Sequence, residues 1–279
     1  MPGLLLAFLV HYVAVAAGGW YAFTDWNGID SSPKWIGLGN FRELAHDSIA
    51  RGALVHTVEI AVMFVVLSQV IGLSLALALN RTVKSRNLLR TIFFAPFVLS
   101  PLATAYIWRF IFDYTGPFNG LLVMLHLDSW RRTWLGDPTW AIWSVVVVMV
   151  WQAAGISMSF YLAGLQNVPE ELDEAAAVDG ASLWLRFRAV TLPMLAPAMT
   201  VSIALATING MRAFDVIMAL TLGGPGAATE TLTTQIYKQG FGDNRYGYGA
   251  AFALVLTIFI ASVALVQILV LRSREARLT

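Results

Sequence analysis

The chain has 279 residues, of which 58% are hydrophobic and 13% charged, and its formal net charge is +1. A water-soluble domain carries about 25% charged residues, so this composition excludes an ordinary soluble fold and indicates an integral membrane protein. The small net charge argues against a nucleic-acid surface. The sequence contains no cysteine, which excludes disulfides, thiol catalysis and thiolate metal sites.

Six apolar runs are long enough to cross the hydrocarbon core of a bilayer, which takes about 20 residues in a helix. Backbone groups in lipid must be satisfied within their own segment, so each run is predicted to be a helix of one all-α transmembrane domain covering residues 1–279. The first run has no basic segment before it and no small-residue cleavage site, so we interpret it as a span rather than a signal peptide. The predicted spans lie near residues 4–23, 54–79, 91–112, 140–162, 195–222 and 250–271.

The basic residues predict the orientation of these spans. They are dense in the connection after the second span and in the tail after the sixth, and an even number of spans puts both segments on one side. The positive-inside rule makes that side the cytoplasm, so both termini and the polar gap at residues 164–193 are predicted to be cytoplasmic. The basic residues are Arg81, Lys84, Arg86 and Arg90 in the connection and Arg272, Arg274 and Arg277 in the tail.

The gap at residues 164–193 is predicted to form two short helices joined by a tight turn. Pro169 suits the first turn of a helix, and the acidic side chains of residues 170–174 complement its positive end. Gly180 stands where a helix ends in a left-handed residue, and Ser182 can cap the second helix. Pro193 is expected to stop that helix and open the fifth span.

Two interpretations of this loop remain open from the residues alone. An amphipathic hairpin can simply lie at the membrane interface and join two spans. Alternatively, it can be a coupling element that inserts into a groove of a partner protein. A helix that rests on an anionic leaflet would favour Lys and Arg on its polar face, whereas this first helix is acidic, which favours a basic protein groove.

The loop reads Glu174-Ala175-Ala176-Ala177-Val178-Asp179-Gly180-Ala181, followed by Arg186-Phe187 and Leu192-Pro193. This pattern resembles the EAA loop of binding-protein-dependent ABC importer permeases. The resemblance to the carbohydrate-type members extends along nearly the whole chain. It includes Phe23-Thr24-Asp25-Trp26-Asn27-Gly28, Trp35-Ile36-Gly37-Leu38-Gly39-Asn40-Phe41, Leu79-Asn80-Arg81, Leu89-Arg90-Thr91, Ile107-Trp108-Arg109, Ile111-Phe112-Asp113, Phe214-Asp215, Leu222-Gly223-Gly224-Pro225-Gly226 and Thr229-Glu230-Thr231-Leu232.

The resemblance implies a transport subunit of a bacterial cell membrane rather than an enzyme. Its implied partners are a second related permease subunit, two ATPase subunits that hold ATP and Mg²⁺, an extracytoplasmic solute-binding protein and a sugar. ATP-driven closure of the ATPases would move the coupling loop and turn the bundle from inward-facing to outward-facing. In the family, the glutamate matching Glu174 contacts the ATPase and the glycine matching Gly180 makes the turn. The implied coupling residues are Glu174, Ala175, Ala176, Asp179, Gly180, Phe187 and Pro193.

The sequence offers no catalytic or metal site of its own. Its three lysines, Lys34, Lys84 and Lys238, do not follow a glycine, so a G-x-x-x-x-G-K-[ST] phosphate loop is absent. The four histidines are scattered without the H-E-x-x-H spacing of a zinc site. No G-x-S-x-G nucleophile elbow is present. We therefore expect ATP hydrolysis on a partner chain and no cofactor in this one.

Polar residues inside spans are costly and mark candidate solute paths. Arg212 and Asp215 lie one helical turn apart, so they can form an intrahelical pair or the rim of a solute site, and the sequence does not decide between these. Pro96 and Pro101 should kink the third span where a cavity could form. Trp151 could stack on a sugar or simply pack. The candidate substrate-path residues are Gln152, Asn209, Gly210, Trp151, Arg212 and Asp215.

Rival functions make different demands on the spans. An ion-coupled secondary transporter needs an ionisable residue near a span centre, and Glu59, Arg109, Arg212 and Asp215 all lie away from the predicted centres. A structural membrane scaffold would not need an acidic coupling loop. A non-carbohydrate ABC importer permease, for glycerol phosphate or a polyamine, remains an alternative. The sequence does not identify the sugar, or decide whether the second permease subunit is a different chain or another copy.

Overall fold

The computed structural model describes residues 8–80 and 84–278. Within this part of the chain the regular structure is helical, apart from an isolated β-bridge between Thr24 and Trp35. The all-α prediction is confirmed. The helices are α1 Ala14–Tyr21 (after a π turn at Leu9–Val13), α2 Gly39–His46, α3 Ser48–Leu79, α4 Arg86–Val98, α5 Pro101–Ile111, α6 Pro117–Met124, α7 Pro138–Leu165, α8 Glu170–Val178, α9 Leu183–Met194, α10 Ala196–Met211, α11 Asp215–Leu220, α12 Leu232–Tyr237 and α13 Tyr246–Leu278.

Three of the described helices are long and apolar enough to cross a membrane alone, namely α3, α7 and α13. Two further spans are possible if each of two sharply bent helix pairs, α4 with α5 and α9 with α10, counts as one crossing. The predicted first span, residues 4–23, begins outside the described part of the chain. The structure thus supports three to five of the six predicted spans.

The predicted third span, residues 91–112, is broken rather than merely kinked. α4 and α5 meet at 100°. Pro101 lacks an N–H and keeps Ser100 out of the helical region (ψ 132°), so α4 ends at Val98 and α5 starts at Pro101. The carbonyl of Leu99 at the break accepts a hydrogen bond from Gln152 Nε2 at 2.8 Å. A side chain of α7 therefore satisfies a backbone group that the break sets free.

The predicted fifth span, residues 195–222, is not one helix. α10 starts after a 70° bend from α9 and ends at Met211, and α11 starts only at Asp215. The break between α10 and α11 frees the carbonyl of Ala213, which accepts a hydrogen bond from Thr233 Oγ1 at 2.6 Å. A side chain of α12 thus stabilises a break for which the local sequence carries no proline.

Pro193 does not end the second loop helix. α9 passes through a π turn at Phe187–Thr191 and continues to Met194. In that turn the N–H of Leu192 bonds the carbonyl of Phe187, five residues back. The wider turn displaces the preceding carbonyls, with which the ring of Pro193 would otherwise clash. The bend comes two residues after the predicted position, at Leu195.

Helix α7 is the centre of the bundle. In its most apolar stretch 61% of the residues are buried, compared with 6% in α13, which leaves α13 free to face lipid or another subunit. Helices α4 and α3 approach α7 closely because a glycine lies at each crossing. A Cβ on Gly155 of α7 would lie 2.2 Å from the carbonyl oxygen of Phe93, and one on Gly72 of α3 would lie 2.5 Å from Cβ of Ser157.

The buried amide of Gln69 connects three helices. Gln69 of α3 accepts hydrogen bonds at Oε1 from Tyr161 of α7 (2.7 Å) and Ser202 of α10 (2.8 Å). Its Nε2 faces Ser157 Oγ at 3.4 Å. All four residues are buried. Since a buried polar group without partners costs about 1–3 kcal/mol, this network favours one relative arrangement of α3, α7 and α10.

Candidate functional site

The loop at residues 164–193 forms a helix–turn–helix. Pro169 precedes the first turn of α8, which carries three acidic side chains. Gly180 follows α8 with φ +78°, the N–H of Ala181 bonds the carbonyl of Ala176 at 3.0 Å, and the N–H of Gly180 bonds that of Ala177. These two bonds form a Schellman motif, which requires a left-handed residue and therefore favours glycine.

Two further contacts shape the loop. Ser182 caps α9 by accepting a bond from the N–H of Leu185 at 3.4 Å. Arg186 of α9 forms an ion pair with Asp173 of α8, in which Nε donates to Oδ1 at 2.9 Å. The Ser182 cap follows Gly180 in sequence, and the Asp173–Arg186 ion pair connects the helices on either side of it. Contacts within the loop therefore set the angle between α8 and α9.

Most predicted coupling residues lie on the surface of this loop. Glu174, Ala175, Asp179 and Gly180 are exposed, whereas Ala176, Phe187 and Pro193 are half-buried. Phe187 stacks against Trp184 with ring centroids 5.6 Å apart. Large apolar side chains are exposed beside the acidic helix, as on a surface that another protein or a membrane covers. They are Leu172, Val178, Leu183, Trp184 and Leu185.

A cavity of about 330 Å³ lies where the broken helices meet. Its volume is at the lower end of the range for small-molecule sites, and its lining is mostly apolar with a few polar groups, as such sites usually are. The lining side chains come from α3, α4, α5, α7, α10, α11 and the segments at their breaks. They are Phe64, Phe97, Leu99, Pro101, Met149, Gln152, Ala153, Ile156, Asn209, Arg212, Ala213, Phe214, Asp215 and Val216.

Four of the six predicted path residues line this central cavity: Gln152, Asn209, Arg212 and Asp215. Gln152 uses its amide N–H on the Leu99 carbonyl, so its Oε1 is the group that can face a solute. Arg212 caps α10 and Asp215 begins α11. Because the helix breaks between them, they form no intrahelical pair, and they do not occur among the ion pairs of residues 8–80 and 84–278.

The two other predicted path residues do not line the central cavity. Gly210 is buried where α10 crosses α3, and a Cβ there would lie 3.1 Å from Cα of Ala61. Its role is therefore close helix packing. Trp151 lies edge-on to Trp108, with ring centroids 5.6 Å apart.

Three aromatic rings in the central cavity were not predicted, those of Phe64, Phe97 and Phe214. Each belongs to a different span, and in sequence each is one apolar residue among many. Phe97 lies between Pro96 and Pro101, the one local signal that marked this region. Among the described residues no group of three or more acidic or histidine side chains could hold a metal ion.

Known transport proteins are similar to this chain in sequence. The family model for "Binding-protein-dependent transport system inner membrane component" matches residues 69–275. The probable starch degradation products transport system permease protein AmyD of Thermoanaerobacterium thermosulfurigenes is 35% identical over 99% of this chain and 94% of its own length. The multiple sugar-binding transport system permease protein MsmF of Streptococcus mutans is 34% identical over 95% of this chain and 91% of its own.

A solved structure has the same architecture. The crystal structure of a bacterial ABC transporter involved in the import of the acidic polysaccharide alginate superposes with a TM-score of 0.82 at 25% identity, over 99% of this chain and 93% of that one. A second structure, of a bacterial alginate ABC transporter in complex with an alginate pentasaccharide-bound periplasmic protein, gives a TM-score of 0.80. The family model, the relatives and the shared fold agree, and the chain belongs to the family of binding-protein-dependent transport system inner membrane components.

Proposed function

We propose that this chain is the membrane-spanning permease subunit of an ATP-driven importer of oligosaccharides. The central cavity carries the proposal, because it brings three aromatic rings together with Gln152, Asn209, Arg212 and Asp215 at the point where two spans are broken. Rings with a polar neighbour suit a sugar, which has apolar faces and a hydroxylated edge. Relatives named for starch degradation products, multiple sugars and alginate support the same substrate class.

The energy source in this proposal is a separate ATPase that docks on α8 and α9. The chain has no phosphate loop, so ATP and Mg²⁺ would be held by two ATPase subunits. Acidic α8 with the apolar side chains around Trp184 would enter a basic, partly apolar groove on one of these two ATPase subunits. Glu174 is exposed and can accept charge-assisted hydrogen bonds there, which are roughly twice as strong as neutral ones.

The remaining parts of the proposal concern topology and partners. Six spans would place both termini and residues 164–193 in the cytoplasm of a bacterial cell, as the basic residues indicate. A second, related permease subunit would complete the translocation path. A solute-binding protein outside the membrane would deliver the sugar to the outer loops. The alginate transporter bound to its periplasmic protein supports this last step.

Reconstitution tests the proposed function. The chain is placed in liposomes with its second permease subunit, ATPase and binding protein, and uptake of radiolabelled maltose, maltotriose, lactose, glycerol 3-phosphate and spermidine is measured. We expect uptake of a saccharide that requires both ATP and the binding protein and that persists when an ionophore removes ion gradients. Uptake driven by a proton or sodium gradient alone would identify a secondary transporter, and uptake of only glycerol 3-phosphate or spermidine would refute the sugar assignment.

A further inference from the structure

A second cavity, of about 720 Å³, adjoins the central one. Arg212 and Phe214 line both cavities, so these two residues form the wall between them. The second cavity lies between α10, α12 and α13. Its lining also includes Tyr237 and Phe241 on one side and Ala253, Thr257 and Ala261 of α13 on the other.

Aromatic rings run in one continuous series from this wall to the segment between α1 and α2, the first of the loops that the proposed topology places outside the membrane. Phe214 contacts Tyr237 (centroids 5.5 Å apart), Tyr237 contacts Phe241 (5.8 Å), and Phe241 contacts Tyr246 (5.2 Å). Beyond Tyr246 the series continues to Trp26 of the first outer loop at 5.5 Å. We call these five residues the aromatic track. Its members lie up to 220 residues apart in sequence (from position 26 to position 246), so tertiary structure alone aligns them.

The middle of the aromatic track is exposed. Tyr237 and Phe241 are 46% and 62% exposed, although each is a large ring beside a cavity. They lie four residues apart, at the end of α12 and in the π turn Lys238–Gly242, and therefore share one face. The opposite wall, on α13, is made partly of small side chains such as Ala253 and Ala261. Rings that face small residues across an open cavity leave room for a flat ligand.

A buried charge cluster holds α12 in place. Glu230, 4% exposed, accepts hydrogen bonds at Oε2 from Thr234 Oγ1 (2.6 Å) and Gln235 Nε2 (2.9 Å), and its other oxygen forms an ion pair with Lys238. Lys238 also donates to the carbonyl of Leu222 at 2.9 Å. These bonds join the glycine-rich loop to the start of the π turn. These bonds therefore fix the position of α12 and the π turn, which carry Tyr237 and Phe241.

We propose that the second cavity is an entry subsite, in which Tyr237 and Phe241 stack on the pyranose faces of the incoming saccharide before it passes Phe214 into the central cavity. The ligand is the same sugar that the proposed function assigns to the central cavity, and the inference rests on that function. Stacking suits a path along which a sugar moves, because each pyranose offers an apolar face to an aromatic ring. This contact does not require a fixed set of hydrogen bonds. Arg212 and Thr257 supply polar groups at the cavity wall for the sugar hydroxyls.

Single cysteines test the subsite, since the natural chain contains none. Tyr237→Cys and Phe241→Cys are compared with Asn209→Cys in the central cavity and with Trp130→Cys, a 58% exposed outer-loop position that lines neither cavity. Each variant is assembled in nanodiscs with the other permease subunit, the ATPase and the binding protein. The rate at which a water-soluble maleimide labels this chain is then measured with and without maltotriose.

Maltotriose about tenfold above its half-saturating concentration occupies about nine-tenths of the sites, so labelling of Tyr237→Cys and Phe241→Cys should slow by about tenfold. Trp130→Cys should label at an unchanged rate. Protection of Asn209→Cys without protection of Tyr237→Cys or Phe241→Cys would overturn the subsite and leave the proposed function standing. Labelling of Tyr237→Cys already blocked by the second permease subunit, before maltotriose is added, would make this cavity a subunit interface. If maltotriose protects no position, the measurement is repeated with whichever of maltose and lactose the reconstituted complex takes up, and protection at no position by a transported saccharide would contradict both the subsite and the central cavity as the sugar site.

Discussion

Gly180 shows how one residue fixes the shape of the proposed coupling loop, residues 164–193. Its φ of +78° lies in the left-handed region, and the Schellman bonds of Ala181 and Gly180 close α8 there. Among the described residues, apart from the two chain neighbours of Gly180, no heavy atom lies within 4 Å of the position that a Cβ would take. The requirement for glycine at this position is therefore one of backbone conformation and not of space.

Gly180→Val should strain the turn by about 1–2 kcal/mol, because a β-branched residue is disfavoured in the left-handed region. The spans should still insert, since the site is exposed and lies in the loop, but less ATPase should co-purify with the permease. Gly180→Asn is the matched control, because Asn tolerates this conformation best among residues with a side chain. Full ATPase retention by the valine variant would show that the turn does not set the docking geometry.

Gln152 and Asn209 line the same cavity but differ in what they support. Gln152 donates to the Leu99 carbonyl, whereas Asn209 is exposed to the cavity. Asn209→Ala should lower saccharide uptake in the reconstituted complex with an unchanged melting temperature. Gln152→Ala should lower uptake and also reduce stability by about 1 kcal/mol, the usual contribution of one hydrogen bond. Unchanged uptake kinetics in both variants would reduce these side chains to structural roles.

At the scale of elements, glycines decide how closely the helices pack. Gly155→Ala would place a Cβ 2.2 Å from the Phe93 carbonyl oxygen and should force α4 away from α7. Overpacking of this kind costs about 1–3 kcal/mol, so the melting temperature followed by tryptophan fluorescence should fall. Gly52→Ala, in α3 with open space around it, should leave stability unchanged or raise it by up to about 1 kcal/mol. Equal melting temperatures for the two variants would contradict the close crossing.

The Asp173–Arg186 pair joins the two helices of the coupling loop. Its side chains are 39% and 23% exposed, and pairs near the surface contribute about 0.2–1 kcal/mol, so the effect should appear in coupling more than in stability. Asp173→Ala and Arg186→Ala should each lower binding-protein-stimulated ATP hydrolysis. The exchanged pair, Asp173→Arg with Arg186→Asp, should recover part of it. If the exchanged pair is as impaired as the worse single variant, the two side chains act separately and the interhelical contact is not what matters.

The elements also show what the sequence could predict. Hydropathy predicts helices α3, α7 and α13. Pro101 predicts a distortion of the third span, because the missing N–H of a proline is a local property of the sequence. The break between Met211 and Asp215 is not local, since Thr233, about 20 residues later, satisfies its carbonyl. For the same reason Arg212 and Asp215 could not be assigned from their spacing, and the aromatic track had no periodic signal at all.

At the scale of the whole molecule, the proposed function requires two separate regions to act together, the central cavity and the loop at residues 164–193. The central cavity lies at the breaks of two spans, and the exposed acidic loop lies beyond α7 and before α10. Helices α7 and α10 line the cavity and also flank the loop, and Gln69 hydrogen-bonds to both of them. In the proposed mechanism, movement of the loop would reach the cavity through α7 and α10.

Glu174 gives the most direct test of this coupling. It is exposed on α8, so its loss should uncouple the complex without unfolding the permease. Glu174→Ala and Glu174→Arg are reconstituted in liposomes with the second permease subunit, ATPase and binding protein, beside Asp243→Ala, an exposed carboxylate in the loop before α13. ATP hydrolysis and saccharide uptake are measured in the same vesicles. We predict that both activities fall together in Glu174→Ala, fall further in Glu174→Arg and stay normal in Asp243→Ala. Near-normal coupled hydrolysis and uptake in both Glu174 variants would contradict the account.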